Sequence, residues 1–291
     1  MDPSRVVAVT GATGRQGGAV VEHLLAHGWR VRGLTRHPDS AAARRVAALG
    51  AELVTADMMS PTALDEAFRG VDGVYSVQTG WDDGFEAEVT QGINVADAAR
   101  RAGVAHIVYG SAGPGEPGTG VGSWDSKERV AAHMRSLALP LTVLRPTAFT
   151  ELMSDRDFYP MVSTWQVMPK VMGADRPVPW LAVDDLGAVA ARVFADPDAF
   201  VGGDIPLAGD RRSITECAEI WRRVRGRAPR RIPMPVGMFD RFVGRDLIAM
   251  WRWLSTSEVD ADPADTRRIL PTAHTVDQWL SLRTSPPRNA I

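Results

Sequence analysis

The chain has 291 residues, 45% of them hydrophobic and 23% charged, which is typical of a globular protein that buries a large core. Its formal net charge of -2 excludes the basic field expected of a nucleic-acid-binding protein, and no apolar run approaches the ~20 residues of a membrane span. A single cysteine, Cys217, excludes an intrachain disulfide and favours a reducing compartment. We therefore expect a cytoplasmic protein without a signal peptide, a membrane contact or a nucleic-acid partner.

A glycine-rich turn follows the first predicted strand. The apolar run Val6–Val9 has no helical period, and the stretch Thr10-Gly11-Ala12-Thr13-Gly14-Arg15-Gln16-Gly17-Gly18 leads from it into residues with helical spacing. Gly11 would allow the turn, Gly14 would let a pyrophosphate approach the backbone, and Gly17 would let the helix pack on the strand. The spacing is G-x-x-G-x-x-G rather than G-x-G-x-x-G, and in this context it predicts a nucleotide site. The same site is expected to include Thr13, Arg15 and Gln16.

The second predicted strand, 30–35, ends at an arginine. In nucleotide-binding folds of this kind, an acidic residue about 20 positions beyond the glycine turn contacts the ribose 2′-hydroxyl, whereas an arginine accommodates a 2′-phosphate. Arg36 therefore predicts NADP(H) rather than NAD(H). The alternative is a solvent-facing arginine at a strand end, and Arg15 is a second candidate partner for the phosphate.

Strands alternate with helices along the first half of the chain. The apolar spacing predicts helices at 16–27, 40–49 and 85–102 between strands at 30–35, 52–55, 73–77 and 106–109. This alternation is typical of an α/β fold with a parallel, doubly wound Rossmann-type sheet and right-handed crossovers. Such sheets bind their ligands at the carboxyl ends of the strands.

The residues that follow the third, fourth and fifth strands are expected at this ligand-binding edge. The cofactor residues among them are Asp57, Met58, Gln78, Thr79 and Ser111, and the substrate residues are Trp81 and Gly113. Asp57 has two interpretations, because a short acid could accept a hydrogen bond from an adenine amino group or cap the helix that begins near residue 61. The stretch 113–122 is rich in glycine and is predicted to be a flexible loop.

Five segments together carry a resemblance to a known family: the glycine turn, 91–109, 124–127, 144–149 and 180–187. They resemble the NmrA-like branch of the atypical short-chain dehydrogenase/reductases, and the likeness covers most of 6–197. It implies an NADP-binding Rossmann domain over 1–150 with a return segment at about 178–210. It also implies a smaller C-terminal α/β lobe, 151–291, that shapes a substrate pocket, and it assigns Pro146 and Phe149 to the cofactor.

Two residues occupy the positions where this resemblance implies chemistry. In the wider superfamily a tyrosine four residues before a lysine supplies the catalytic proton. Lys127 matches the lysine, but Ser123 stands in the tyrosine position, and an unperturbed serine cannot replace a tyrosine of pKa about 10 as a general acid. The superfamily's catalytic serine aligns with Ala112, with Ser111 one position away. Lys127 and Ser123 are the candidate catalytic residues, and the alternative for Lys127 is an exposed lysine in the first turn of a helix.

The second half of the chain is rich in methionine and aromatic residues. Such residues usually form a core, but they could also enclose an apolar or aromatic substrate. The substrate contacts that we predict from this half are Phe149, Met153 and Trp165. Asp184 and Asp185 are predicted to cap a helix at 186–194, and no histidines have metal-ligand spacing, so no metal site is predicted.

The sequence therefore favours an NADP(H)-dependent reductase that acts on a small apolar or aromatic carbonyl, quinone or unsaturated compound. Because the tyrosine is missing, two alternatives remain open. The first is a non-catalytic NADP(H)-binding redox sensor, which would act through a protein partner or a homodimer. The second is an isomerase or lyase that binds the cofactor without net redox change.

Overall fold

A computed structural model describes residues 5–80, 83–155, 163–242 and 244–283. The chain divides into two compact units. The first contains Met1–Gly118, Gly122–Arg145 and Leu186–Ile205, and the second contains Thr119–Val121, Pro146–Asp185 and Pro206–Ile291. The stretch that returns to the first unit is thus shorter than the predicted 178–210.

The strands of the described residues are β1 (Val6–Val9), β2 (Arg30–Thr35), β3 (Glu52–Thr55), β4 (Gly73–Ser76), β5 (His106–Gly110), β6 (Leu141–Pro146), β7 (Ala148–Phe149), β8 (Val178–Leu181), β9 (Asp204–Leu207) and β10 (Asp210–Arg212). The α-helices are α1 (Arg15–Ala26), α2 (Ala41–Ala48), α3 (Pro61–Ala67), α4 (Phe85–Ala102), α5 (Gly122–Ser136), α6 (Met168–Met172), α7 (Val183–Ala195), α8 (Pro197–Phe200), α9 (Ile214–Arg225), α10 (Val236–Phe242), α11 (Arg245–Thr256), α12 (Pro263–Ile269) and α13 (Val276–Leu282). None of these described helices is long and apolar enough to cross a membrane.

The main sheet of the described chain has seven strands in the order β3-β2-β1-β4-β5-β6-β9. Parallel registers join β3 to β2, β2 to β1, β1 to β4, β4 to β5 and β5 to β6. The order reverses between β1 and β4, so this is the point at which a doubly wound sheet binds ligands. The predicted Rossmann-type parallel sheet is confirmed.

Apolar faces on the helices explain how the first unit packs. The helix α1 buries Val20, Val21 and Leu24 at the spacing expected of an amphipathic helix. The helices α4 and α5 approach each other closely at Gly92, where an added Cβ would lie 2.5 Å from Val130 Cγ2. A glycine at this position therefore fixes the distance between the two helices.

The second unit has its own small sheet and its own core. The sheet has the order β10-β8-β7, which explains why β8 does not belong to the return segment of the first unit. A hydrophobic cluster in this unit contains four tryptophans, namely Trp165, Trp180, Trp251 and Trp279. The methionine- and aromatic-rich sequence thus builds a core in the described part of this unit.

The prediction that Asp184 and Asp185 cap a helix beginning at 186 is wrong. The helix α7 begins earlier, so both acids lie in its first turn. The Val183 amide at the start of the helix donates instead to the Glu151 carboxylate, with N–O distances of 3.2 and 3.3 Å. Asp185 is 1% exposed and accepts hydrogen bonds from the backbone amide of His274 at 2.8 Å and from its Nδ1 at 2.7 Å.

Candidate functional site

The glycine turn is packed so closely that side chains at its glycines would contact the backbone or Val77. Gly11 has φ of +59°, a conformation that favours glycine, and the Gly14 amide donates to the Gly11 carbonyl at 2.9 Å. A Cβ on Gly17 would lie 2.2 Å from the Gly11 carbonyl oxygen and 2.9 Å from that of Thr10. Gly14 is the N-cap of α1, it offers no side-chain cap, and the first turn of this helix contains no acid. The turn therefore fits an anion such as a pyrophosphate at the helix N-terminus.

A buried threonine ties the turn to the neighbouring strand. Thr10 is fully buried, and its Oγ1 accepts from the Val77 amide at 2.8 Å and donates to the Val77 carbonyl at 3.0 Å. These bonds fix the backbone just after β4, at the switch point of the sheet. The sequence prediction did not include Thr10, although a hydroxyl residue directly before the first glycine was a visible signal.

Lys127 lies in a buried ionic network. Its Nζ donates to the Gln78 carbonyl at 3.0 Å and to Oε1 of Glu88, while Oε2 of Glu88 accepts from Ser126 Oγ at 2.8 Å. The side chains of Lys127 and Glu88 are 12% and 1% exposed. The alternative of an exposed lysine in a first helical turn is therefore wrong, and Gln78 meets Lys127 through its backbone carbonyl.

Helix packing explains why Glu88 reaches Lys127. Gly92 on α4 contacts Val130 on α5, and Glu88 and Ser126 each lie four residues, or about one helical turn, before these two positions. The close approach at Gly92 therefore brings Glu88 against Ser126 and Lys127. The sequence prediction missed Glu88, whose signal was a carboxylate on the buried face of an amphipathic helix.

A second buried ion pair holds the segment after β5. Arg145 is 3% exposed, and its guanidinium bonds Asp204 through Nε at 2.5 Å and Glu128 through Nη2 at 2.9 Å. Its Nη1 donates to Ser111 Oγ and to the Ala112 carbonyl, both at 3.3 Å. Ser111 is 1% exposed, and its hydroxyl is held by the hydrogen bond from Arg145. The sequence analysis had assigned no role to Arg145.

The loop after Ser111 is packed on two side chains. Gly113 has φ of +77°, and a Cβ there would lie 2.6 Å from the Trp124 ring. Gly115 has φ of +85°, and a Cβ there would lie 2.9 Å from Arg145 Nε. Because both glycines combine a left-handed backbone with a close neighbour, larger residues would displace this loop. The predicted substrate contact of Gly113 stays a prediction.

Two tyrosines, on β4 and β5, do not replace the catalytic tyrosine whose position is occupied by Ser123. Tyr75 and Tyr109 are fully buried. Burial raises the pKa of Tyr75, and burial followed by the charge of Glu88 raises the pKa of Tyr109. Both phenols therefore stay protonated and out of contact with solvent, which makes neither a suitable proton donor for a substrate.

The other predicted cofactor residues of the first unit occupy varied environments. Arg36 is half exposed, and its Nη1 lies 3.6 Å from Asp83 Oδ2. Asp57 Oδ1 accepts from the Met59 amide at 2.9 Å, while Ser60 is the N-cap of α3. The interpretation of Asp57 as the cap of that helix is therefore wrong, and its adenine contact stays a prediction.

Met58 contacts two residues of the same edge, because its carbonyl accepts from Asn94 Nδ2 at 3.0 Å and its sulfur lies 3.8 Å from Gln78 Nε2. Thr79 is exposed. Trp81 lies outside the described residues. Thr13, Arg15 and Gln16 lie in the turn or the first turn of α1, while Ser123 lies in the first turn of α5, and their predicted roles stay predictions.

Four predicted residues belong to the second unit. Pro146 ends β6 and Phe149 ends β7, and both are buried. Met153 and Trp165 are each 3% exposed, and Trp165 Nε1 donates to the Met153 carbonyl at 2.9 Å. The last two side chains are core residues of this unit, and the predicted contacts of all four with cofactor or substrate stay predictions.

One cluster of potential metal-ligand atoms joins residues that are far apart in the sequence. Asp184, Asp185 and His274 place one potential ligand atom each within 4.8 Å of one another, although 89 residues separate Asp185 from His274. Both carboxylate oxygens of Asp185 already accept hydrogen bonds from His274. The described contacts of this buried acid are those of a structural Asp–His pair.

Comparisons with known proteins agree with this geometry. A model of the NmrA-like family matches residues 3–280. The NmrA-like family domain-containing oxidoreductase lnaB of Aspergillus flavus is 30% identical over 259 residues, which cover 80% of this chain and 77% of that protein.

Two solved structures share the fold at low sequence identity. NmrA, a negative transcriptional regulator, in complex with NADP has a TM-score of 0.78 at 21% identity, with 95% of this chain and 94% of that chain covered. The Citrobacter sp. triphenylmethane reductase complexed with NADP(H) has a TM-score of 0.76 at 21% identity, with 96% and 100% covered. One fold thus carries a regulator in one protein and a reductase in the other.

Proposed function

Because the chain belongs to the NmrA-like family, we propose that it is an NADP(H)-dependent reductase of a small apolar or aromatic carbonyl, quinone or unsaturated compound. The observation that carries the proposal is the position of Lys127, whose ammonium bonds the Gln78 carbonyl just after β4, next to the glycine turn that follows β1. The oxidoreductase name of the Aspergillus relative and the NADP(H) bound to the Citrobacter reductase support it.

The residues of the first unit fit the parts of a dinucleotide. The turn from Gly11 to Gly17 would receive the pyrophosphate, since Gly14 leaves the N-terminus of α1 without a side-chain cap and Gly17 lets this helix lie against the backbone of the turn. Arg36 would pair with a 2′-phosphate, and Lys127 would bind the ribose. When bound, NADPH supplies the hydride.

The hydrogen bonds of the Lys127 ammonium also limit the role that this group can have in catalysis. Two of its three N–H donors are already used by Gln78 and Glu88. We infer that Lys127 acts by orientation and charge. The apolar class of the substrate rests on the sequence composition of the second unit.

A sensor that binds NADP(H) without turnover is the second candidate. Ser123 in the tyrosine position favours it, as does the likeness to a transcriptional regulator. Both functions use the same cofactor residues, so they differ in turnover and not in binding.

The experiment is to mix the purified protein with NADPH and a panel of quinones and aromatic carbonyls, and to follow the absorbance of the reduced nicotinamide. The reductase predicts substrate-dependent loss of this absorbance, and a large decrease in kcat in Lys127→Ala. NADPH binding by calorimetry without absorbance loss for any substrate would favour the sensor. Product formation without NADPH loss would indicate an isomerase or lyase.

A matched pair of variants tests the cofactor site itself. Gly17→Ala introduces a Cβ 2.2 Å from a backbone oxygen, whereas Gly18→Ala introduces one at 3.6 Å, an ordinary contact. We expect Gly17→Ala to lower NADPH affinity by about tenfold to a hundredfold, because overpacking against backbone displaces the turn. Gly18→Ala should bind NADPH as the wild type does. Equal affinities in the two variants would contradict the assignment of the turn.

A further inference from the structure

Glu88 is the carboxylate that the proposed function leaves without a role. It is 1% exposed, and each of its oxygens has one described partner, Lys127 Nζ and Ser126 Oγ. A buried charge is costly unless it is paired and hydrogen-bonded, and this one is both. Its position on α4 is fixed by the close contact of Gly92 with Val130.

The pairing determines the direction of the lysine. An ammonium has three N–H donors in a tetrahedral arrangement, and two of them point to Gln78 O and Glu88 Oε1. Among the described residues these are its two hydrogen-bond partners, and the two bonds limit the direction of the third N–H. The side chain of Lys127 is 12% exposed, so part of it stays accessible to a ligand.

We propose that Glu88 is a positioning residue for Lys127: it holds the ammonium against the end of β4 and directs its remaining N–H to a bound nicotinamide nucleotide. The proposal rests on the proposed function, because it assumes that NADP(H) binds beside Lys127. It adds a residue from a different helix, 39 positions away in the sequence.

The surroundings allow the effect of Glu88 to be isolated. The charged groups on α4, α5 and β6 that lie nearest to this pair in the sequence or in the structure include Glu86, Glu128, Arg129 and Arg145. Arg129 pairs with Glu86, and Arg145 pairs with Glu128. Tyr109 has a raised pKa and stays neutral. Glu88 is therefore the described carboxylate paired with Lys127.

The test measures NADPH affinity by calorimetry in Glu88→Gln, in Lys127→Met and in the variant that carries both substitutions. Glutamine keeps the shape of Glu88 but not its charge, so it holds the ammonium less firmly, and we expect NADPH to bind Glu88→Gln about tenfold more weakly than the wild type. If Glu88 acts through Lys127, adding Glu88→Gln to Lys127→Met should change the affinity by less than about twofold.

Two variants serve as controls. Glu88→Asp keeps the charge, so it should bind NADPH more tightly than Glu88→Gln does. Glu86→Gln removes an exposed carboxylate from the same helical turn and should behave as the wild type. Thermal unfolding of each variant checks that it is folded.

The outcomes separate the two proposals. If Glu88→Gln weakens binding equally with and without Lys127, or if Glu88→Asp binds no better than Glu88→Gln, Glu88 has only a structural role and the inference is overturned. A wild type that binds NADPH but does not oxidise it overturns the reductase alone. A wild type that does not bind NADPH overturns both.

Discussion

The two units bury their carboxylates in different ways. In the first unit, the buried Glu88 pairs with Lys127, and the buried Arg145 pairs with Glu128, which is 12% exposed, and with Asp204, which is 40% exposed. In the second unit, Glu151 accepts from the Val183 amide and from Trp279 Nε1, at 3.1 Å for the latter, and Asp185 accepts from His274. The first unit thus fixes cations at the edge of its sheet, whereas the second uses its acids to hold backbone and ring N–H groups.

The pKa shifts express the same difference. Burial raises the pKa of Glu151, and its hydrogen bonds and the charge of Arg283 only partly oppose this. Burial also raises the pKa of Asp185 against the bonds from His274. The difference teaches that Glu88 in the first unit holds a lysine ammonium, whereas Glu151 and Asp185 in the second unit mainly satisfy backbone and ring N–H groups.

The largest expected effect comes from breaking the buried ion pairs of the first unit. Arg145→Met removes the buried guanidinium that pairs with Glu128 and Asp204, and should lower the free energy of unfolding by about 3 kcal/mol. We expect no larger loss, because Asp204 is 40% exposed and both carboxylates keep Arg135 as a partner. Urea denaturation measures the loss. Arg129→Met is the control, because Arg129 is 52% exposed and solvent screens its pair with Glu86, so that its loss should be much smaller. Equal losses in the two variants would contradict the contrast between buried and exposed pairs.

The second-largest expected effect is a loss of stability at low pH, which His106 in the first unit should cause. Burial lowers the pKa of His106 to about 4, and its Nε2 lies 2.8 Å from Thr142 Oγ1. The unfolded chain binds this proton near pH 6.5 and the folded chain only near pH 4, so the contribution of His106 is complete above about pH 6.5 and is lost as the pH falls to about 4. The loss should reach about 3 kcal/mol.

Urea midpoints between these pH values measure the loss, and His106→Gln should make the dependence shallower because glutamine does not titrate. Glu151 and Asp185 act with the opposite sign, since a carboxyl with a raised pKa stabilises the fold below its unfolded pKa and loses this contribution as the pH rises. Hydrogen-exchange protection factors, which are corrected for the intrinsic exchange rate at each pH, should therefore fall on acidification more in β5 than in α13. An equal fall would remove the distinction between the units.

The exposed charge of Arg36 should affect the binding of the nucleotide and not the stability of the fold. Arg36 is 50% exposed, so its pair with Asp83 should contribute little to folding, but a charge-assisted bond to a 2′-phosphate is worth about 1.5 to 3 kcal/mol. Arg36→Ala should therefore reduce the preference for NADP over NAD by roughly ten- to a hundredfold. Calorimetry with both nucleotides measures it, and Arg30→Ala, at the other end of β2, is the control. Equal affinity of the wild type for NADP and NAD would contradict the role of Arg36.

The sequence predicted the fold because its signals were local. The glycine turn, the alternating strands and helices and the strand ends can each be recognised within a few residues, and they placed Gly17 in the first helix after β1. The network around Lys127 could not be predicted, because Glu88 lies 39 residues from it and reaches it only through the contact of Gly92 with Val130. Arg145 shows the same limit, since its partner Asp204 is 59 residues away.

Composition gave less information about the second unit. Methionine and tryptophan suit both a core and a substrate surface, and burial decides between them only when the fold is known. Met153 and Trp165 are core residues although both carried a predicted substrate contact. A polar residue on a buried helix face, such as Glu88, was the more specific signal.

The smallest effect should come from the one cysteine, which lies in the apolar core of the second unit. Cys217 is fully buried, and burial, with the charges of Asp210 and Glu216, raises the pKa of its thiol. Because the thiolate is the reactive form, we expect no modification by a thiol reagent in the folded protein. Cys217→Ala should cost about 1 kcal/mol of stability, as the loss of a small buried apolar group, and should leave NADPH oxidation unchanged. Mass spectrometry after reagent treatment measures the reactivity, with urea-unfolded protein as the positive control. Rapid labelling of the folded protein would show that this unit also holds an accessible reactive group.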